Sequence, residues 1–341
     1  RASPEVEHVV EKVKELGFTP HLSVGEERTI IGVIGDERKL AVQSLELLAG
    51  VDRLVPILQP FKLASRDFKP ENTAMDIGGV EVGGKRVVVI AGPCAIESRE
   101  QLIETAWAVK EAGASIIRGG AFKPRTSPYS FQGLGLEGLA LLAEVRELTG
   151  LAIITEAMPP EQVPDVAAAA DILQLGTRNM QNYSLLRAVG QSGKPCILKR
   201  GLAATVTEWL QAADYLLAAG ESQVILCERG IRSFENSTRF TLDISSIGVI
   251  KHNSHLPIIV DPSHAAGARR LVPPLARAAL AVGADGLIVE AHADPFNAFS
   301  DAAQQLESGK FKAFLDDLAP WVELARQANR RETPSDAKEQ T

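Results

Sequence analysis

The chain has 341 residues, 45% of them hydrophobic and 23% charged, with 28 glycines and few aromatics. This is ordinary composition for a globular protein, with room for one large domain and a small one, and no run approaches the roughly 18 apolar residues of a membrane span. A net charge of −7 excludes a general polyanion binder, so any basic cluster must be local and serve a particular ligand. Cys94, Cys196 and Cys227 are odd in number and far apart, which points to a reducing compartment and away from a disulfide framework. The expected setting is cytoplasmic, without nucleic acid or membrane as partner. The chain opens on Arg1, not Met, so its natural start is expected to lie upstream.

Taken in order, Ser3-Pro4-Glu5 reads as an N-cap, a first-turn proline and an acidic first turn. It opens a helix to about Leu16 that stops at Gly17. Short strands are expected at Thr19–Val24 and Thr29–Ile34, a second helix at about Glu37–Ala49 and an apolar strand-like run at Val51–Leu58. The order helix, strand, strand, helix, strand resembles a ferredoxin-like α+β unit whose first strand is absent. Residues 59–73 read as a polar linker with Pro60 and Pro70, able to let the small unit move, and Ile77–Lys85 as a glycine-rich hairpin. The expected division is residues 1–70, 71–330 and a disordered tail at 331–341.

Beyond the hairpin come eight apolar runs: 87–91, 115–117, 151–155, 172–175, 195–198, 224–226, 257–260 and 286–289. Amphipathic stretches at 101–112, 136–148, 163–169, 183–189, 205–218 and 268–282 separate them, with 239–250 and 297–306 filling the remaining crossovers. Strands this apolar are buried on both faces, which implies a parallel sheet with helices outside. Eight such units over about 230 residues predict a (β/α)8 TIM barrel, with an open doubly wound sheet as the alternative.

Polar residues concentrate where the strands end: Cys94, Arg118, Glu156, Arg178, Lys199-Arg200, Glu228-Arg229, Asp261-Pro262-Ser263-His264 and Glu290-Ala291-His292. In such barrels the active site is built on this rim. Arg118, Lys123 and Arg125 lie within eight positions, beside Thr126 and Ser127, and Arg178, Lys199, Arg200, Arg229 and Arg232 add to them. Arginine forks and lysine point charges hold carboxylate and phosphate, so more than one anionic group is expected to bind at once. Cys94, His264, Glu290 and Asp301 form one soft, one borderline and two hard ligands for a divalent transition metal. Their strands, the first, seventh and eighth, become neighbours only if the sheet closes. Cys196 and Cys227 lie inside strands and read as core.

AGPC at 91–94, RGGAFKPRTSPYSFQGLG at 118–135, LGTRNMQN at 175–182, ILKRG at 197–201, LCERGIRSFE at 226–235, VDPSH at 260–264 and VEAH at 289–292 resemble the 3-deoxy-D-arabino-heptulosonate 7-phosphate (DAHP) synthases. The likeness is to the subfamily with an N-terminal ferredoxin-like regulatory domain. The 3-deoxy-octulosonate 8-phosphate synthases, which use arabinose 5-phosphate, carry Asn-Arg-Ser where Lys-Pro-Arg-Thr-Ser stands at 123–127 here. The resemblance implies condensation of phosphoenolpyruvate with erythrose 4-phosphate and water, at the first step of the shikimate pathway to aromatic amino acids. It implies that Arg118, Lys123 and Lys199 hold the carboxylate side of phosphoenolpyruvate and Arg178 and Arg229 its phosphate. Arg125 and Thr126 would take the aldehyde's phosphate, and Glu156 would handle water. The metal set would be Cys94, His264, Glu290 and Asp301, holding manganese first, with zinc, iron or cobalt as alternatives. A homotetramer with tyrosine or phenylalanine as effector is implied as well. A Schiff-base aldolase using Lys199 is the rival from a different class, and a non-catalytic sugar-phosphate sensor a third reading.

Overall fold

The computed structural model describes residues 3–25, 28–34, 45, 47–55, 59–124, 127–221 and 223–331. Helix α1 (Pro4–Glu15) begins where Ser3 Oγ accepts from Val6 N, with proline in the first turn beside Glu5 and Glu7. These features satisfy orphan amides and face the positive end of the helix dipole. Strands β1 (Thr19–Val24) and β2 (Thr29–Ile34) pair antiparallel, and Val9, Val13, Phe18 and Leu45 form a small separate core. The expected second helix falls mostly outside the described residues. Residues 51–55, expected to enter a strand, form none, and 56–58 lie outside.

The 59–73 segment is not the free linker its polarity and prolines imply. Phe61, Leu63, Ala64 and Ser65 are buried. Lys62 N and Ala64 N donate to Asp214 at 2.5 and 2.8 Å, and His255 bridges Leu63 O and Thr73 Oγ1, each at 2.7 Å. Burial pushes the Asp214 carboxyl up to about 6, against the pull of the Lys62, Ala64 and Leu63 amides, and pushes His255 down to about 4, which keeps the ring neutral. These anchors are single residues some 150 to 190 positions downstream, so local composition carries no sign of them.

The hairpin β3 (Met75–Ile77) and β4 (Val80–Val82) turns through Gly78 and Gly79, both at positive φ, as a two-residue turn of this hand requires. Its Met75, Ile77 and Val82 join the inner barrel core of Val88, Ile90, Ile116, Ile154, Ile172, Ile197, Ile225, Ile259 and Ile288, so the hairpin is packed into that core.

The barrel strands are β5 (Val88–Gly92), β6 (Ile116–Arg118), β7 (Ala152–Ala157), β8 (Ile172–Leu175), β9 (Cys196–Lys199), β10 (Val224–Glu228), β11 (Ile258–Val260) and β12 (Gly286–His292). All neighbours pair parallel, and β12 closes on β5 through Gly286 opposite Val88. Alternate side chains fill the interior or face the helices α2 (Arg99–Ala112), α3 (Leu136–Thr149), α4 (Val163–Ala169), α5 (Tyr183–Gly190), α6 (Val206–Ala219), α7 (Ile244–Asn253) and α9 (Val272–Ala281). Cys227 lies in the inner core and Cys196 in the outer one, as core thiols should.

Two crossovers differ from expectation. Residues 268–271 are not part of a long helix: a short α8 (Pro262–Ala266) ends at Gly267 and a 3-10 turn precedes α9. The 297–306 segment is a loop, held by side-chain hydrogen bonds, that enters β13 (Leu306–Glu307) beside β12. The final crossover belongs instead to α10 (Phe311–Arg331), seated through Phe311, Phe314 and Leu318. Among the described residues no helix is long and apolar enough to cross a membrane.

Candidate active site

The strand ends converge. At Gly92, a Cβ would stand 2.1 Å from Arg118 O, so only glycine lets β5 leave the sheet this close to β6. That exit delivers Cys94, fully buried, into the mouth of the barrel. Its amide donates to Gln305 Oε1 at 3.0 Å, and its Sγ lies 3.0 Å from Ser300 Oγ and 3.3 Å from Asp301 Oδ2. Asp301 has φ +52°, the one positive φ among the described non-glycine residues. Aspartate tolerates this region better than most side chains, and the bend aims its carboxylate inward.

One donor atom each from Cys94, Glu290 and Asp301 lie within 4.8 Å of one another. His264 Nε2 stands 3.5 Å from Glu290 Oε1 and 3.9 Å from Asp301 Oδ2. Three of the four residues expected to bind metal thus form one group, and His264 stands beside its two carboxylates. Burial pushes the Cys94 thiol up to about 12, with Glu290 and Asp301 adding to it and Lys123 opposing. Burial would raise Asp301, but Arg239 and His264 hold it down at about 2. Burial would likewise raise Glu290, yet His264 and Arg118 hold it below the usual carboxylate range. Burial lowers His264, against the pull of Asp261 and Glu290. With Nδ1–H on Asp261, its Nε2 faces two carboxylates and is the nitrogen left to bind metal. Glu290 Oε1 is buried and, apart from its ion pair with Arg118, makes no hydrogen bond among the described residues. A divalent metal fits this donor set.

The cations divide into two kinds. Arg118 is buried and pairs through Nη2 with Glu290 Oε1 at 3.3 Å. Its Nε and Nη1, and Nη1 of buried Arg229, have no hydrogen-bond partner among the described residues. Arg229 lies over the Phe240 ring at 4.3 Å. Lys123 Nζ donates to Cys94 O at 2.8 Å and lies 3.0 Å from Sγ, and Lys199 Nζ donates to Asp261 Oδ2 at 2.6 Å. Arg178 is exposed and donates to Pro124 O at 3.3 Å. Arg200 is different: its Nη1 donates to Glu228 at 2.9 Å and Asp243 at 2.7 Å, and its Nε to Ala204 O at 3.0 Å. It supports the wall and is not placed to hold an anion. Arg125 and Thr126 lie outside the described residues.

Glu156 accepts from Gln174 Nε2 at 3.2 Å. A Cβ at Gly176 would stand 2.0 Å from its Oε1, so that glycine reserves the carboxylate's space. Glu156 makes no hydrogen bond to the metal-capable group among the described residues. Gln304 and Arg239 join the site without any sign in the sequence, and Asp261, expected on the rim, takes a part that the sequence does not assign. Gln304 Nε2 donates to Glu290 Oε2 at 2.6 Å, and Arg239 Nη1 reaches Gln304 Oε1 at 2.8 Å and Asp301 Oδ1 at 3.2 Å. Asp261 was legible as a helix cap in Asp-Pro-Ser-His; nothing local marks the other two. Side-chain caps such as that of Ser3 are common, so the cap alone does not show what Oδ2 of Asp261 faces.

A family model described as the DAHP synthetase I family matches residues 68–324, and one described as the DAHP synthase ferredoxin-like domain matches residues 2–59. Phospho-2-dehydro-3-deoxyheptonate aldolase of Thermotoga maritima is 48% identical over 314 residues, covering 92% of this chain and 93% of that one. The 2-dehydro-3-deoxyphosphooctonate aldolase of Azoarcus sp. is 33% identical over 280 residues, covering 76% and 99%. The crystal structure of the Thermotoga maritima aldolase (DAHP synthase) matches with a TM-score of 0.76 at 46% identity, over 96% of this chain and 95% of that one. A truncated form of 3-deoxy-D-arabino-heptulosonate 7-phosphate synthase from the same organism matches with a TM-score of 0.72, over 78% and 97%.

Proposed function

The chain belongs to the DAHP synthetase I family, and from that premise we propose how its barrel rim performs the family's condensation. The reaction joins phosphoenolpyruvate, erythrose 4-phosphate and water into DAHP and inorganic phosphate, a transferase step of the shikimate pathway. The octulosonate synthases stand farther off, at 33% against 48% identity, so arabinose 5-phosphate is not the favoured aldehyde.

The observation that carries the residue assignment is the pair of buried arginines with unpartnered nitrogens, Arg118 and Arg229. Buried donors left without acceptors cost about 1–3 kcal/mol each, and an anionic substrate removes that cost. Arg118, Lys123 and Lys199 take the carboxylate of phosphoenolpyruvate, Arg178 and Arg229 its phosphate, and Arg125 with Thr126 the phosphate of the aldehyde. Cys94, His264, Glu290 and Asp301 hold the metal, manganese before zinc, iron or cobalt. When bound there, the metal would polarise or orient the aldehyde. The cations hold two mutually repelling phosphates in register, so the enol carbon meets the aldehyde carbon without a diffusional search. Water, handled by Glu156, adds at the adjacent carbon, and the tetrahedral adduct expels phosphate while Lys199 and the arginines steady the charge. A Schiff-base role for Lys199 is disfavoured because its Nζ is engaged by Asp261 at 2.6 Å, beside the metal-capable group. Borohydride should trap no substrate adduct.

Phosphate release measured with each sugar phosphate tests the reading: erythrose 4-phosphate should turn over and arabinose 5-phosphate should not. Arg125→Ala should lower kcat/KM for erythrose 4-phosphate about 10- to 100-fold, the worth of one charge-assisted phosphate contact. Equal effects on both substrates would show the two phosphates to be misplaced.

The ferredoxin-like unit is the regulatory part, with tyrosine or phenylalanine as effector and a homotetramer as the assembly. An effector need only favour one arrangement of that unit to shift its population. Because residues 61–73 are bound to the barrel, we place the boundary near residue 59, and a shortened chain should start there and not at Met75. It should keep metal and turnover and lose inhibition by both amino acids. Undiminished inhibition would put the effector site in the barrel.

A further inference from the structure

Asp261 belongs to none of the ligand sets assigned above, yet it touches both halves of the site. It is fully buried. Its Oδ1 accepts from the amide of His264 at 2.9 Å, capping the short helix α8. Its Oδ2 accepts from Lys199 Nζ at 2.6 Å and from His264 Nδ1 at 2.7 Å. One oxygen is thus spent on the backbone, which fixes the carboxylate in place. The other is shared between a cation on the substrate side and an imidazole on the metal side. An ionised carboxylate can only accept, so Nδ1 carries a proton, and Nε2, which faces Glu290 and Asp301, is the nitrogen left to bind metal.

We infer that Asp261 is a positioning residue that couples phosphoenolpyruvate binding to metal binding, by dividing one carboxylate oxygen between Lys199 and His264. The inference rests on the metal set and the role of Lys199 proposed above. Without substrate, Lys199 draws on the charge of Asp261. An anion that engages Lys199 relieves that draw, and more of the charge then supports the Nδ1–H of His264, making Nε2 a better ligand. The two ligands therefore tighten each other, and the coupling must be reciprocal. Arg118 links the same two halves through Glu290 at 3.3 Å, so removing Asp261 leaves a residue of coupling.

The test is titration of cobalt(II) into chelator-stripped protein, read by the near-ultraviolet thiolate-to-cobalt absorption, with and without saturating phosphoenolpyruvate. In the unaltered protein phosphoenolpyruvate should tighten cobalt binding at least about 5-fold. Asp261→Asn keeps the side-chain volume and an oxygen for the helix cap but cannot hold the imidazole and the ammonium together. It should weaken cobalt binding about 10- to 100-fold, and the factor by which phosphoenolpyruvate tightens it should fall toward one. Circular dichroism and a thermal melt check that the variant is folded. A folded variant whose cobalt affinity, or whose phosphoenolpyruvate effect, stays within about 2-fold of the unaltered protein overturns the inference. If the variant does not fold, the unaltered protein decides alone, because cobalt binding indifferent to phosphoenolpyruvate overturns the coupling. Absence of the thiolate band in the unaltered protein brings down the metal assignment together with this inference. A band with no coupling brings down the inference by itself.

Discussion

Stripping divalent metal from the protein should take turnover to background, and adding back manganese, cobalt or zinc should restore it. Cys94, Glu290 and Asp301 crowd their donor atoms within 4.8 Å, with His264 Nε2 at 3.5 Å from Glu290. Two carboxylates, an imidazole and a thiol converge there, edged by Arg118, Arg239 and Lys123. Burial and the neighbouring acids push the thiol up to about 12, so loading metal should release its proton to solvent, measurable in weakly buffered solution. Cys94→Ser removes the softest ligand and should weaken metal binding beyond the roughly 10- to 100-fold typical of outer-shell changes. Full turnover in protein that elemental analysis finds free of metal would sink the assignment.

Arg118→Met should be the most damaging single change among the cations. Arg118 is 4% exposed and neutralises Glu290 while offering two unpartnered nitrogens. Its loss removes two substrate contacts and strands a buried carboxylate. Stranding the carboxylate costs stability, about 3–5 kcal/mol, while the two substrate contacts are worth about 1.5–3 kcal/mol each, so kcat/KM for phosphoenolpyruvate should fall by about two to four orders of magnitude. Arg200→Met probes a different failure, since Arg200 is satisfied by Glu228 and Asp243; it should lower the melting temperature more than it alters KM. If Arg118→Met left KM and kcat for phosphoenolpyruvate within a few-fold of normal, that ligand would have to sit elsewhere on the rim.

Much of this protein was legible without coordinates. Eight apolar runs buried on both faces specify a parallel sheet, and the closure of β12 on β5 agrees with it. Closure also accounts for Cys94, His264 and Glu290 meeting, because a thiol on the first strand and a carboxylate on the eighth are adjacent only in a barrel. The short strands and the first helix were readable from caps, prolines and glycines, whose effects are local. The same reasoning failed at 59–73 and at 297–306. The first reads as polar linker because its partners, Asp214 and His255, are distant single residues. The second is apolar enough to suggest a helix, but Asp301 at φ +52° and the side chains of Ser300, Gln304 and Gln305 define a loop.

What the sequence determined by itself was therefore the barrel, its chemical rim and the metal-capable residues, since hydrophobic periodicity and strand-end position are properties of neighbouring residues. Only the tertiary structure decided which charges serve ligands and which serve the fold. Arg118 and Arg200 look alike in sequence, as arginines at strand ends. They differ because one fork is left with two buried nitrogens that make no hydrogen bond, whereas the other is held through Nε and Nη1 by Ala204, Glu228 and Asp243. Asp261, too, reads locally as no more than a helix cap. The free energy of a buried charge depends on which distant groups surround it, and that information exists only once the strands have closed.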